Sequence, residues 1–374
     1  MREVVITGLG IVSSIGEGVE AHLQALREKA APRLDAQTFA PYQVHPVVPL
    51  DYDKQIPKKA DQRQMEPWQR LGCYAAGLAL ESAGAKDDAA LKARMHLIVA
   101  AGGGERDYAV DGQILTGLRT AANPGVFLNE RLMSDLRPTL FLAQLSNLLA
   151  GNISIVHGVT GASRTFMGEE NAGVDAIRIA QARIAAGQTD IFLVGGAYNA
   201  ERPDVLLVYE MGGFLWKGPF RSVWERPGRG GGFIPGSGAA FLVLEAREHA
   251  EARGAKPLAT LTGVASDRTR RTPGAVAQSL ARLWKEVGAG RSPHVISGAT
   301  GVAGATEEER AAIKDLAPNA SLHPSGDLIG HTVEAQAPAG VVLAAALLQE
   351  ADEAVVTSVG HWRGEGLVRL VRPR

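Results

Sequence analysis

The chain has 374 residues, a formal net charge of −1 and 45% apolar residues, the composition of a globular protein large enough for an extensive core. This charge balance provides no basic field that would favour nucleic acid or an anionic membrane surface. The single cysteine, Cys73, excludes an intrachain disulfide and a cysteine metal cluster and indicates a reducing compartment. Because we find neither a signal-peptide pattern nor an apolar run of about 18 residues, we expect a cytoplasmic protein without a membrane span.

In the first part of the chain, short apolar runs punctuated by glycine alternate with alanine-rich segments of helical spacing. Apolar runs without alternation, separated by helices, indicate strands that are covered on both faces. The predicted strands are Val4–Thr7, Leu97–Ala101, Ile153–Val156, Ile191–Val194 and Ala239–Leu244. The predicted helices include Gln69–Ala85 and Ala172–Ala186.

A charged helical stretch, Ala246–Lys256, separates this part from a second one with the same pattern. The second set of predicted strands is Pro257–Val264, Val295–Ser297, Ala354–Val359 and Leu367–Val371, and the helices are Gly274–Val287, Glu307–Leu316 and Val333–Glu350. The sequence therefore predicts an α/β pattern that occurs twice, divided into residues 1–250 and residues 251–374.

Six segments, in order along nearly the whole chain, resemble the elongating β-ketoacyl-ACP synthases, KAS II-like members of the thiolase superfamily. They read MREVVITGLGIVSSIG, RQMEPWQRLGCYAAGLALESAG, NLLAGNISIVHGVTGAS, GQTDIFLVGGAYNA, GGFIPGSGAAFLVLEAREHAEARGAK and GDLIGHTVEAQAPAG. The resemblance implies a thiolase fold, in which two βαβ-type halves stack in five α-β-α-β-α layers. It also implies a dimer formed across the first half.

Members of this family carry a nucleophilic cysteine at the start of a buried helix, where the helix dipole lowers the thiol pKa. In this chain the resemblance places Glu170 at that position, within TFMGEENAGVDA. The nearest alternative nucleophiles, Ser163 and Thr165, fall outside the predicted turn. Because a carboxylate is a poor acceptor for an acyl thioester, we expect ordinary transacylation to be lost. The alternative interpretation is an acidic residue that only caps a helix start.

The family also uses two histidines, and the resemblance finds one of them here. The first falls on Gly298, within Ile296–Thr300, and a lysine of the family falls on Gly326. His331, in LIGHTVEAQ, matches the second histidine; a structural histidine is the alternative interpretation.

The glycine-rich gating loop of the family is also altered, since Gly360 is followed by a bulky trio. His361 stands at the gatekeeper position, so we predict that Gly360 and His361 line the substrate pocket. The alternative is that Trp362 and Arg363 only pack or face solvent. Cys73 lies in an apolar helical run and is interpreted as a buried structural thiol.

The missing reacting groups favour a protein of fatty acid or polyketide elongation that does not condense by itself. It is similar to the chain-length factors, which form heterodimers with active ketosynthases, and GASRTFMGEE resembles ketosynthase-like proteins of very-long-chain fatty acids in lipid A. The expected partners are acyl carrier protein, acyl and malonyl thioesters and an active ketosynthase, with a homodimer as the alternative. A malonyl-ACP decarboxylase acting alone and an acyl-ACP binding module without chemistry remain open, as does enzyme activity itself. No sequence feature indicates a metal or an organic cofactor.

Overall fold

A computed structural model describes residues 1–135, 142 and 144–374. The described residues contain a ten-stranded mixed sheet. Its strands are β1 Val4–Val12, β2 His96–Ala100, β3 Ser163–Phe166, β4 Ile191–Tyr198, β5 Gly238–Ala246, β6 Ala259–Asp267, β7 His294–Ser297, β8 Ser321–Pro324, β9 Glu353–Val359 and β10 Glu365–Val371. Strands β1, β4 and β5 are apolar over nearly their whole length, as the continuous apolar runs predict, and these strands and β9 are almost completely buried.

The strand order is β3-β2-β4-β5-β1-β6-β10-β9-β7-β8, which is the same arrangement used twice. Counted outward from the centre of the sheet, the first group has the order β1, β5, β4, β2, β3 and the second group has the order β6, β10, β9, β7, β8. If the strands of each group are numbered by their position in the chain, both groups therefore have the order first, fifth, fourth, second, third. The two groups meet where β1 pairs with β6 over two residue pairs, Val5 with Thr260 and Ile6 with Ala259. The repeated α/β pattern of the sequence is therefore confirmed in the strand order.

The α-helices cover both sides of each group of strands. They are α1 Gly18–Glu28, α2 Lys59–Gln64, α3 Pro67–Ser82, α4 Ala89–Arg94, α5 Tyr108–Thr120, α6 Pro124–Ser134, α7 Leu148–His157, α8 Glu170–Ala185, α9 Pro203–Met211, α10 Arg247–Ala252, α11 Ala275–Val287, α12 Ala305–Leu316, α13 Ser325–Leu328 and α14 Gln336–Leu347. Short 3₁₀ turns occur at Tyr52–Lys54, Pro227–Arg229 and Val333–Ala335.

Helices α8 and α14 form the central layer, since they contact each other and strands of both groups. Helix α14 is buried at every residue, which matches a segment that is apolar all round. Helices α3 and α7 cover the outer face of the first group, and α11 and α12 cover the outer face of the second. The layers are thus helix, sheet, helix, sheet, helix, as predicted.

The prediction of a strand at Ile153–Val156 is wrong, because this run lies inside helix α7. Leu149, Ala150 and Ile153 are buried while Ile155 is 72% exposed, which is the helical spacing of one buried face. Gly158, with φ of 75°, ends the helix in the left-handed conformation. The third strand of the first group is instead β3, a short and polar segment ten residues later.

The charged stretch Ala246–Lys256 contains helix α10, which connects the two groups of strands. In the part of the chain that the structure describes, no helix combines the length and apolarity needed to cross a membrane.

Candidate active site

Helix α8 begins at Glu170, directly after a sharp turn that follows β3. Gly168 has φ of 131°, and Glu169 has φ of 61° and ψ of −144°, a region that residues with a side chain rarely occupy. This strained turn directs the side chain of Glu170 into the interior, where it is only 1% exposed. The helix start predicted at Glu170 is therefore present.

Two histidines contact the same oxygen of Glu170. The Oε1 atom lies 2.7 Å from Nε2 of His331 and 2.8 Å from Nδ1 of His361, both of which donate to the carboxylate. The backbone N–H of His361 donates to the same oxygen at 3.0 Å. Three donors therefore converge on one carboxylate oxygen, and the ring nitrogens come from segments 161 and 191 residues away along the chain.

These contacts decide the charge state of Glu170. Burial alone would raise the pKa of its carboxyl, but the hydrogen bonds from His331 and His361 outweigh burial and lower it well below the usual range. Burial likewise opposes the charged form of His361, and the hydrogen bond to Glu170 raises the pKa of that imidazole nonetheless. The site therefore holds an ionised carboxylate beside a histidine that favours the imidazolium form.

Local structure fixes both rings. The backbone of His331 bridges to the Ile234–Gly236 segment, donating to the carbonyl of Ile234 at 2.8 Å, and its ring packs on Phe233. His361 lies in the turn between β9 and β10, edge-on to Tyr209, Phe214 and Phe233. These aromatic contacts hold both imidazoles in place against the carboxylate.

Glu169 extends the cluster toward the surface. Its carboxylate accepts a hydrogen bond from Nε1 of Trp362 at 3.0 Å and lies 3.7 Å from Nε of Arg363. Oε1 of Glu169 is 3.8 Å from Nε2 of His361. Trp362 and Arg363, which were alternatively interpreted as packing or solvent-facing residues, are half exposed and bind this second glutamate.

The three glycines assigned by resemblance lie in tight surroundings. A Cβ atom at Gly360 would meet the carbonyl oxygen of Arg363 at 2.0 Å and Oε2 of Glu170 at 2.9 Å, so this turn presses its backbone against the cluster. A Cβ at Gly298 would meet the carbonyl of Thr357 at 2.6 Å, and one at Gly326 would meet the carbonyl of Ala299 at 3.1 Å. Gly298 therefore does not leave an open vacancy for a histidine in this backbone.

The other candidate nucleophiles lie elsewhere. Ser163 and Thr165 are on strand β3, before the turn that carries Glu170. Cys73 is fully buried in α3, and burial, with a smaller contribution from Asp61, raises the pKa of its thiol. A buried neutral thiol is unreactive, in agreement with the structural interpretation.

Two further buried carboxyls were not singled out from the sequence. Burial raises the pKa of Glu334 to about 7, with a contribution from the negative charges of Glu170 and Glu169. Glu334 lines a cavity of about 310 Å³ together with Gly102 to Gly104, Tyr198 and Tyr209. Burial also raises the pKa of Glu309 to about 7. Lone glutamates in helical segments carry no motif that could have identified them.

Comparisons with known proteins agree with this architecture. The family model for the beta-ketoacyl synthase N-terminal domain matches residues 1–250. The 3-oxoacyl-[acyl-carrier-protein] synthase 2 of Vibrio harveyi is 29% identical over 275 residues, which cover 70% of this chain and 62% of that protein. The ketoacyl synthase beta subunit of tetracenomycin polyketide synthase from Streptomyces glaucescens is 29% identical over 259 residues, covering 67% of this chain and 60% of that protein. The matched part thus spans less than two thirds of these relatives.

A solved structure described as the ishigamide ketosynthase/chain length factor superposes with a TM-score of 0.81, at 21% identity and with both chains fully covered. The five layers are those of the thiolase fold. The chain belongs to the β-ketoacyl synthase family.

Proposed function

We propose that this protein is a non-condensing, ketosynthase-like subunit of acyl-carrier-dependent chain elongation, which pairs with an active ketosynthase. The observation that carries the proposal is the occupation of Glu170 Oε1 by His331 Nε2, His361 Nδ1 and the His361 backbone N–H. Family members need a nucleophile at this helix start and donors for the oxyanion that develops on the acyl carbonyl. In this chain we assign that position to the carboxylate of Glu170, which already accepts hydrogen bonds from the available donors.

Electrostatics argue in the same direction. An oxyanion close to an ionised, buried carboxylate would be a pair of like charges in a medium of low dielectric constant, which is strongly unfavourable. The three hydrogen bonds would also have to break before the donors could serve a substrate. Acyl transfer at Glu170 is therefore disfavoured both by the missing nucleophile and by the occupied donors.

The same geometry weighs against the decarboxylase alternative. A neutral amide at this position could donate to a thioester oxygen, but Glu170 is held as an acceptor by both histidines. An acyl-ACP binding module without chemistry is the remaining alternative, and the measurements below can distinguish it from the proposal. It differs from the proposal in needing no ketosynthase partner.

Strand β3 offers a surface for a partner. It pairs with β2 on one side and forms the edge of the described sheet on the other. Ile155 and Met167, on either side of β3 in the chain, are 72% and 62% exposed. An unpaired edge beside exposed apolar side chains is suited to pairing with a second subunit.

The relatives described as a beta subunit and as a ketosynthase/chain length factor support this role. Within it, the GASRTFMGEE resemblance favours very-long-chain fatty acids of lipid A as the product class.

The proposal is tested by incubating the pure chain with malonyl-ACP and a long acyl-ACP and measuring the intact masses of protein and carrier. We expect unchanged carriers and no acyl adduct on the protein. Glu170→Cys should acquire an acyl adduct from acyl-ACP, because a thiol then stands at the helix start, and Glu170→Ala is the matched control that should not. Elongated ketoacyl-ACP or acetyl-ACP made by the wild-type chain alone would overturn the proposal.

A second measurement addresses the partner. The chain is co-expressed with a candidate ketosynthase that retains the cysteine and both histidines, and the mass of the complex is measured by light scattering. A one-to-one complex is expected. A stable homodimer that binds acyl-ACP and ignores the ketosynthase would favour the binding module instead.

A further inference from the structure

We propose that Glu170, His331 and His361 together form a binding site for one divalent transition-metal ion of the zinc, iron(II) or cobalt(II) class. The site would be a property of this chain in addition to the proposed pairing role, and it does not depend on that role. The three residues are all at most 4% exposed, and their ligand atoms lie within 4.8 Å of one another.

The donor set matches what such ions prefer. Two imidazole nitrogens and one carboxylate, with further positions open, form a recurring set for iron(II), and catalytic zinc sites also combine histidine with glutamate. The three residues come from separate places: the start of α8, the loop before the 3₁₀ turn at Val333–Ala335, and the turn between β9 and β10. Convergence of three ligating side chains from distant segments is what a chelating site requires.

Only a small movement separates the observed geometry from a metal site. The ring nitrogens are 2.7 and 2.8 Å from the carboxylate oxygen, as in hydrogen bonds. Two donors that are each about 2.1 Å from one ion stand roughly 3 to 3.5 Å apart. Binding would replace the shared protons by the ion and move each ring nitrogen away from the carboxylate oxygen by about 0.2 to 0.8 Å, and the released protons would leave to solvent.

Two buried atoms of the cluster are unused among the described residues. Oε2 of Glu170 and Nδ1 of His331 have no hydrogen-bond partner in that part of the chain. A buried acceptor without a partner is costly, so an orphaned carboxylate oxygen needs an explanation. A cation bound by both oxygens of the carboxylate and by the two rings would satisfy Oε2 and compensate the buried negative charge of Glu170.

The surroundings also suit a bound ion. Nε2 of His361 lies 3.8 Å from the carboxylate of Glu169. This distance is too long for a hydrogen bond, but it places a carboxylate beside the second nitrogen, where such groups orient metal-binding histidines. A cavity of about 510 Å³, lined by Phe214, Arg271, Trp362 and others, reaches His361 and provides an access route. The positive charge of Arg271 beside this route is compensated by an ion pair with Glu365.

The test uses the full-length protein, stripped of metal by a chelator and dialysed, and titrated with Co²⁺ while its visible absorption is recorded. We expect one equivalent of Co²⁺ to bind, with d–d bands that Zn²⁺ abolishes by competition, and a higher Tm in the loaded protein because the ion binds only the folded state. Glu170→Gln, His331→Asn and His361→Asn should each lose equimolar binding.

The matched control is His323→Asn, because His323 stacks on His294 in a second histidine pair that does not belong to the cluster. This variant should bind Co²⁺ like the wild type. X-ray absorption of the loaded wild type, which should show two imidazole nitrogens, covers the case in which a cluster variant does not fold. Absence of equimolar binding, or equimolar binding that survives in a folded Glu170→Gln variant, would overturn the proposal. Neither result bears on acyl transfer, which is measured separately in metal-free buffer.

Discussion

Two buried glutamates, one in each half of the molecule, show how the type of donor decides the charge of a carboxyl. Glu170 in α8 and Glu309 in α12 are both 1% exposed or less. Each accepts its hydrogen bonds on Oε1 and leaves Oε2 without a partner among the described residues. Glu170 receives ring and backbone N–H groups, whereas Glu309 receives the hydroxyls of Ser297 at 2.7 Å and Thr357 at 2.5 Å.

The outcomes are opposite. The pKa of Glu170 is lowered because hydrogen bonds from His331 and His361 outweigh burial, and the pKa of Glu309 is raised to about 7 because burial outweighs two neutral hydroxyls. A carboxyl in the core of this fold is thus ionised only where a cationic side chain reaches it. The charged carboxylate of Glu170 consequently needs His331 and His361 from the second half. The carboxyl of Glu309 takes both of its hydroxyl donors from its own half.

The largest expected effect comes from removing a charged partner. His361→Leu should destabilise the protein by about 3 to 5 kcal/mol, since it leaves a buried carboxylate short of donors. The free energy of unfolding is measured by urea titration in metal-free buffer. Leucine retains apolar contact with Tyr209, Phe214 and Phe233, which limits the loss from packing.

A double-mutant cycle isolates the charge contribution. In a Glu170→Gln background, His361→Leu should cost much less, because no buried charge is left behind. His323→Leu serves as the control for loss of a partly buried histidine. If His361→Leu lowers the free energy of unfolding equally in both backgrounds, the conclusion that the buried charge of Glu170 depends on its histidine donors is contradicted.

The second effect concerns the pH dependence of stability. Because the pKa of Glu309 rises from the ordinary 4.5 to about 7 on folding, its protonated form is favoured in the folded protein. The contribution of Glu309 to the free energy of unfolding is fully present below about pH 4.5. It is lost as the pH rises through 7, by about 3 kcal/mol in total. Glu309→Gln should remove this pH-dependent contribution, so the variant gains stability relative to the wild type between pH 5 and pH 8.

Unfolding free energies at several pH values check this expectation. The matched control is Glu286→Gln on the exposed side of α11, which should leave the slope unchanged. A stability difference between wild type and Glu309→Gln that is constant with pH would mean that Glu309 does not titrate in this range.

The smallest effect tests the hydroxyl donors. Thr357→Val keeps the shape of the side chain and removes one of the two donors to Glu309, at a cost of about 1 kcal/mol. The same change should raise the pKa of Glu309 further, since the remaining donor favours the carboxylate less. Thr262→Val on the exposed side of β6 is the control, with a change close to zero. An unchanged stability and pH profile for Thr357→Val would argue against a role of the hydroxyls.

Much of the fold was predictable because its elements are strongly apolar. The runs in β1, β4 and β5 are long enough to be recognised, and the alternation of strands and helices predicts two α/β halves. Ile153–Val156 was misassigned because a four-residue run with three apolar residues fits a strand and a helix equally well. Strand β3 was not predicted, because its sequence SRTF is short and polar and its pairing with β2 decides its conformation.

For the site, the resemblance identified Glu170, His331 and His361 as candidates, and the structure brings these three together. The sequence could not show that all three donors converge on one oxygen, because this depends on the backbone of the turn at Gly360. It also could not show the strained conformation of Glu169, which depends on tertiary packing. The assignment of catalytic or substrate-binding roles to these residues stays a prediction.

The identical strand order of the two halves has a historical consequence. A chain that repeats the order first, fifth, fourth, second, third on both sides of one seam has the pattern expected from duplication of a half-length gene. In such an ancestor the seam between β1 and β6 would have joined two identical copies, and both copies would have contributed equally to the centre. The present chain has since distributed its polar groups unequally, with the carboxylate on one copy and both imidazoles on the other.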